Sequence, residues 1–525
     1  MSRHCRQLAA EYGRLFTRAT RQIGALASVL ILAVALLHAE EADPDPLDRI
    51  TIADLKRHCG TLASDAFEGR EAGTNGGHAA AAYIQSELRK IPGITPGTSS
   101  GWLQEFGSNY RNVLAVLPGS DPELRHEIIV IGAHFDHVGR GNQTNSNGPF
   151  GYIHNGADDN ASGTAALIEL ADAFASLKTP PRRTVLFAFW DAEEVGLLGS
   201  KHWVTRPTHA LKDIRLVVNI DMLGRLREGK LIVVGWRSTA GLRSQLVRHN
   251  PSGDLDFQYE PKVIGDSDHY PFYALGIPAL HIDSGKHDDY HRPSDDVDKL
   301  NFTGIRRLSE LVFHLVRDAA NEDHLPAFRR EALTELPPAW LTPRPPVAAP
   351  ARLGVVFDGN QFAANRAVIQ QITPGSAAAR GGLLPGDRIV KFAHWEAGPV
   401  ADIRTLVQVT KNPVDIRVER PGSATPVDLK LDLAGDAVRV GISWESDSAL
   451  PGAVMLTRVV PDSPADRAGL KVGDAVLQVA DESIGTDDEI RQRLLTNPNP
   501  IRLKIERNGR LADVVMELFQ PSAQP

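Results

Sequence analysis

The sequence predicts an α/β protein with a mixed, largely parallel sheet covered by helices on both faces, followed by two small β-rich domains that carry helices. Three observations predict it. From about residue 50 to 320, apolar runs of strand length alternate with helix-length segments, the pattern of a sheet buried on both faces. Five short clusters rich in carboxylates or imidazoles stand mostly just past such runs, where a sheet of this kind places its ligands. Beyond a proline-rich stretch, one pattern recurs at a constant offset of 87 residues, a unit long enough to be a domain.

The leader comes first. Arg3, Arg6, Arg14, Arg18 and Arg21 precede an apolar stretch from Ile23 to Leu37, followed by His38-Ala39 and the acidic Glu40-Glu41. That is the order of a secretory signal, and the stretch is shorter than the roughly 20 residues of a spanning helix. Residues 1–39 are expected to be a signal peptide cleaved near Ala39. The alternative is an uncleaved anchor through residues 23–37, held in the inner membrane, and only then is the membrane a partner. Either way the body of the protein is expected to be exported, to the periplasm or the extracellular space. Losing the leader's five arginines and Glu11 takes the net charge from −8 to about −12, which argues against nucleic acid as a partner. A chain of 525 residues is too long for one core, and 42% hydrophobic with 23% charged residues is ordinary for a globular protein. Of the two cysteines, Cys5 lies in the leader, so Cys59 has no partner for an internal disulfide.

Within an α/β unit spanning 45–325, the pattern predicts a helix over 78–90, a strand over 127–132 and a helix over 162–177. A strand over 184–190, a helix over 194–205 and strands over 215–220, 231–235 and 277–282 follow. An amphipathic helix over 302–320 closes the unit. Trp190, Trp203 and Trp236 are expected in the core. Residues 326–350, with Leu336-Pro337-Pro338 and Thr342-Pro343-Arg344-Pro345-Pro346, read as an extended linker.

Two repeated units follow, 351–435 and 436–519. Leu353-Gly354-Val355 recurs as Val440-Gly441-Ile442, and the run from Pro374 to Gly386-Asp387 recurs from Pro461 to Gly473-Asp474. On that pattern, both units resemble PDZ domains of bacterial exported proteases. The resemblance implies a groove between a strand and a helix, where a peptide adds as an extra strand and its carboxylate meets backbone N–H groups. The loops in question hold Leu353, Gly354 and Val355 in one unit and Val440, Gly441 and Ile442 in the other. Peptide or protein C-termini are the expected partners there.

The five clusters are His134-x-Asp136, Asp158-Asp159-Asn160-Ala161-Ser162-Gly163, Asp191-Ala192-Glu193-Glu194, Asn219-Ile220-Asp221-Met222 and Tyr290-His291. Singly, most have plain readings: a surface tripeptide, a turn or N-cap, a solvated helix start. Asp221 after Leu-Val-Val-Asn-Ile is an odd place for a solvated charge. Together, two histidines and several carboxylates at strand ends make a site for hard-to-borderline divalent ions, zinc foremost. Burying that many carboxylates without a counter-charge is costly.

In order and identity, these clusters resemble the co-catalytic di-zinc metallopeptidases that include secreted bacterial leucyl aminopeptidases and glutamate carboxypeptidases, over roughly residues 50–320. The resemblance implies two Zn²⁺ per chain, bridged by Asp159, with His134 and Asp221 on one and Glu194 and His291 on the other. It makes Glu193 the general base that moves a proton from a metal-activated water. Asp136, two residues past His134, is suited to hold that imidazole's tautomer. Tyr290 is a candidate for polarising the scissile carbonyl, and Ser267-Asp268-His269 is expected to support the nearby loop. The implied activity is release of N-terminal residues from peptide substrates, with the PDZ pair recruiting peptide or protein. A carboxypeptidase or dipeptidase of the same family, or an envelope scaffold acting mainly through its PDZ domains, are the alternatives.

Overall fold

A computed structural model describes residues 45–338, 352–396, 400–435 and 437–518. The expected leader lies outside the described residues, as does the proline-rich run from Thr342 to Pro346. Among the described residues no helix is long and apolar enough to cross a membrane. The chain divides into two units, Met1–Arg49 and Ile50–Pro525, and the second holds everything that follows.

The first sheet has nine strands: β1 Thr95–Pro96, β2 Leu103–Phe106, β3 Tyr110–Leu117, β4 Ile128–His134, β5 Thr184–Trp190, β6 Ile214–Ile220, β7 Lys230–Val234, β8 Asp256–Tyr259 and β9 Ala279–Asp283. Their order is β1-β3-β5-β4-β6-β9-β7-β8, with β2 paired to β3. β5, β4, β6 and β9 run parallel at the centre, while β3 and β7 flank them antiparallel. The central strands are the long apolar runs of the sequence, and every residue of β4 and β5 is buried.

Both faces are covered. On one, the helix Gly163–Ala175 is buried along almost its whole length and packs against Ile52–Leu62 and Phe302–Asn321, with Phe174 and Phe313 rings 4.6 Å apart. On the other, Trp190, Trp203 and Phe272 form an aromatic cluster with ring centroids 5.5–6.2 Å apart. Trp236 is fully buried as well, so all three tryptophans sit in the core as expected. Each fully buried Phe contributes roughly 1.5–3 kcal/mol.

The expected central elements are present with ends shifted by one to a few residues, except the helix expected from Glu194, which begins at Leu198. Residues 191–197 are instead wound into a loop, with Ala192 and Leu197 at positive φ. The Asp136 carboxylate takes the Glu193 and Glu194 amides that a helix start would have left free. The helix Ile52–Leu62, capped by Thr51, and the β2–β3 hairpin were not legible as periodic runs.

The segment expected to be an extended linker is packed over its first half. Phe328 bridges Thr239, Ala332 accepts the Tyr273 hydroxyl, and Glu335 pairs with Arg237 and Arg329.

The repeats give two further sheets. β10 Val355–Phe357, β11 Ala367–Ile372, β12 Arg388–Phe392, β13 Val414–Glu419 and β14 Val427–Leu431 lie in that order. β15 Ile442–Ser446, β16 Val454–Val459, β17 Ala475–Val479, β18 Glu482–Ser483, β19 Ile501–Arg507 and β20 Arg510–Met516 are ordered β15-β16-β17-β19-β20, with β18 on β17. The repeated motif has one structural meaning in both. Asp387 and Asp474 each take two guanidinium hydrogen bonds, from Arg420 and Arg507. Gly354 and Gly441 sit at positive φ, where a Cβ would lie 2.2 Å from Ser376 and Ser463 respectively. The side chains of Leu353 and Val440 are buried, while Val355 and Ile442 open the edge strands β10 and β15.

The last sheet is docked on the first. The Asn508-Gly509 turn between β19 and β20 has both residues at positive φ, the two-residue turn that Asn-Gly favours. Its Asn508 carbonyl accepts the Phe257 amide of edge strand β8, and a Cβ on Gly509 would fall 2.3 Å from the Phe257 ring. Beside it, Arg243 and Glu506 form an ion pair at 2.6 Å with both side chains almost fully buried.

Candidate metal centre

The parallel strands deliver the clusters to one edge. His134 ends β4, Asp191 to Glu194 follow β5, and Asp221 follows β6. His291 lies in the loop after β9, and Asp159 lies in the crossover between β4 and β5, just before the helix Gly163–Ala175. These are the carboxyl ends of adjacent parallel strands, where open α/β sheets bind ligands.

There the side chains form two donor groups that share Asp159. In one, His134 Nε2 lies 3.3 Å from Asp159 Oδ1 and 3.1 Å from Asp221 Oδ1. In the other, His291 Nε2 lies 3.0 Å from Asp159 Oδ2 and 3.2 Å from Glu194 Oε2. His134 and Asp221 thus stand to one side of Asp159, and Glu194 and His291 to the other. Imidazole and carboxylate donors this close, with three carboxylates among them, fit two borderline divalent ions such as zinc.

Each donor is aimed by a neighbour. His291 Nδ1 lies 3.0 Å from the Asn145 carbonyl, which leaves Nε2 facing the carboxylates. Asp221 Oδ2 accepts from Ser267 Oγ at 2.8 Å, so Ser267 does support the site; Asp268 turns away to Ser200. Asp136 differs from expectation. Its carbonyl, at 3.2 Å, is the nearer partner of His134 Nδ1, and its carboxylate oxygen stands at 3.7 Å. The carboxylate instead accepts the Glu193 amide at 3.0 Å and the Glu194 amide at 3.3 Å. One residue thus orients a donor on β4 and the glutamate pair after β5. Asp158 is diverted from the centre: it accepts from the Gly224 amide and faces His287 at 3.2 Å.

The centre is acidic and closed. Burial works against protonation of His134, yet the Asp221 and Glu193 carboxylates raise it well above its ordinary value. Burial also opposes ionisation of Asp159, but hydrogen bonds from His134 and His291 hold it well below the usual carboxylate range. Glu193 goes the other way: burial, reinforced by Glu194, Asp268 and Asp221, pushes it well above the carboxylate range despite His134. Tyr290 stacks on His291 with centroids 4.0 Å apart, and burial beside Asp159 and Glu194 keeps its phenol protonated.

Two residues at the site escaped the sequence reading. His137 is fully buried with Nδ1 2.9 Å from Glu194 Oε1, in the same donor group as Asp159, Glu194 and His291. Its signal was the spacing His134-x-x-His137. Arg70, also fully buried, donates to the carbonyls of Leu62, Phe135, Asn155 and Gly156, tying together the loops that carry the donors. A lone arginine in Glu-Gly-Arg carries no periodic signal.

Residues 112–316 match the model of peptidase family M28, and residues 455–507 that of a PDZ domain. The chain is 27% identical over 317 residues to leupeptin-inactivating enzyme 1 of Streptomyces exfoliatus, covering 56% of this chain and 67% of that protein. It is 26% identical over 226 residues to aminopeptidase YwaD of Bacillus subtilis, covering 39% of this chain and 44% of that one. A crystal structure of the LapA aminopeptidase of Legionella pneumophila superposes with a TM-score of 0.44 at 22% identity, over 54% of this chain and 76% of that one. Residues 112–316 are thus those of a metallopeptidase. That stretch carries the pattern of peptidase family M28, and residues 455–507, near the C-terminus, that of a PDZ domain.

Proposed function

We propose that the protein is an exported aminopeptidase that holds two Zn²⁺ ions through His134, Asp159, Glu194, Asp221 and His291. The observation that carries this is the pair of donor groups sharing Asp159 at the ends of parallel strands. Bound there, the ions would supply Lewis acidity and a lowered water pKa.

The chain's own residues do the rest. Glu193, with its carboxyl raised, takes a proton from the attacking water and returns it to the departing amine. Asp136 fixes Glu193 through its amide, so the base and its neighbour Glu194 point in different directions from one anchored turn. The protonated Tyr290 phenol donates to the substrate carbonyl oxygen. Arg225 is engaged by Asp289 and Asp295, while Asp159, Glu194 and Asp221 make the centre acidic. With Arg225 already paired, its guanidinium is not offered to a substrate carboxylate, which favours an aminopeptidase over a carboxypeptidase.

The arginine-led apolar leader supports export. The repeat pattern and matching strand orders support a PDZ reading of residues 351–435 as well as of 436–519, with peptide C-termini or extended segments adding along β10 and β15. These grooves would recruit longer substrates. A panel of aminoacyl reporters, set against N-terminally blocked peptides with free C-termini, tests the reading. Hydrolysis of the reporters alone, abolished by chelation and restored by zinc, is expected; cleavage confined to free C-termini would overturn it.

A further inference from the structure

The two donor groups are unequal. The group around His134 has three members, His134, Asp159 and Asp221, whereas the other has four, His137, Asp159, Glu194 and His291. We propose that His137 is a sixth metal-binding side chain, closing a four-donor site and leaving the three-donor site as the one with an open position. This rests on the two-metal reading above and goes beyond it by assigning different roles to the two ions.

Three observations support it. His137 Nδ1 lies 2.9 Å from Glu194 Oε1 and 3.8 Å from Asp159 Oδ2, and its ring stands edge-on to His291 at 5.4 Å. An imidazole nitrogen and a carboxylate oxygen at that distance are joined either by the ring's own N–H or by a metal ion that both ligate. Second, the ring has a built berth. Gly156 adopts φ +53°, and a Cβ there would lie 2.5 Å from His137 Cδ2 and 2.6 Å from Cγ. Third, Arg70 holds both walls, its carbonyl accepting the His137 amide at 3.2 Å and its guanidinium donating to the Gly156 carbonyl at 2.9 Å.

The consequence follows from coordination number. Four protein donors complete a tetrahedral zinc site, as in structural centres, and three leave a place for an exogenous ligand, as in catalytic ones. His137 adds a donor without adding charge, so the four-donor site fills first and anchors Asp159 for the other ion. Substrate or water then enters on the His134–Asp221 side.

Cobalt titration followed by visible absorption, with X-ray absorption counting imidazoles, tests this on the full chain. Wild type should bind two ions in resolved steps with three imidazoles in total; two imidazoles would overturn the proposal. His137→Gln keeps a hydrogen-bond donor for Glu194 but removes the imidazole. It should weaken the first step by more than the 10–100-fold or so that losing a second-sphere partner brings. If both steps and the spectrum stay as in wild type, His137 is only a proton donor to Glu194 and the assignment is wrong. Asp221→Asn should abolish the second step and spare the first. Wild-type protein binding a single ion would instead sink the two-metal reading itself.

Discussion

Glu193 and Glu194 are adjacent in sequence and opposite in character. Burial raises Glu193, whereas Glu194, against the same burial and its neighbour Asp159, is held low by hydrogen bonds with His137 and His291. That split accords with the proposed roles, proton transfer for one and metal binding for the other. Glu193→Gln is therefore expected to keep both ions while kcat falls at least ~10²-fold, the low end for removing a general base. Metal analysis alongside steady-state rates checks it, and a near wild-type rate would refute the role. Asp159→Asn should lose both ions together, because each donor group uses one of its oxygens. At this scale the family resemblance grouped His134, Asp159, Glu194, Asp221 and His291, and the structure brings these side chains close to one another. His137 was hidden behind the more familiar His-x-Asp, and Arg70 acts only on backbone carbonyls that no sequence pattern announces.

Elements built on continuous apolar runs were legible, because strands buried on both faces need little besides β-branched and aromatic residues. What failed depends on long-range partners. The turn after β5 is set by Asp136, some 57 residues away, so local propensity for a helix at Glu194 was overridden. The segment after the helix Phe302–Asn321 looked like a linker by its prolines, but its charges are matched by distant ones. Glu335 shows this best. Against the cost of burial, Arg237 and Arg329 pull its carboxyl from an ordinary 4.5 to about 2. A depressed carboxyl stabilises the fold fully above its unfolded value and loses that contribution as pH falls through its folded value. The stability difference between wild type and Glu335→Gln should thus be constant above about pH 4.5 and shrink towards pH 2, measured by denaturant unfolding across that range. A difference that grows on acidification would rule the ion cluster out as its source.

For the whole molecule, the sequence suggested PDZ domains set off by an extended linker, and the structure docks the second against the first sheet. The hairpin tip at Asn508-Gly509 covers edge strand β8, and Arg243–Glu506 is sealed beneath it. Asp447, just past the groove strand β15, pairs with Arg237. The first PDZ-like unit is held in turn, through Asp402 to Arg467 at 2.6 Å and the Gln408 carbonyl to the Val438 amide at 2.8 Å. Deleting the C-terminal units would uncover Arg243 and a sheet edge, confusing loss of recruitment with loss of stability. A single substitution separates them. Breaking a buried ion pair from one side costs about 3–5 kcal/mol, so Arg243→Ala should loosen the last domain without touching the metal centre. Recruitment depends on presenting a bound segment at a fixed distance and direction from the active site, so undocking lowers the local substrate concentration. The expected outcome is an unchanged kcat/KM for a small aminoacyl reporter and a reduced one for longer peptides. Equal loss on both substrates would mean that the domain supports the active site structurally, and no loss on either would mean that its groove serves a partner other than the substrate.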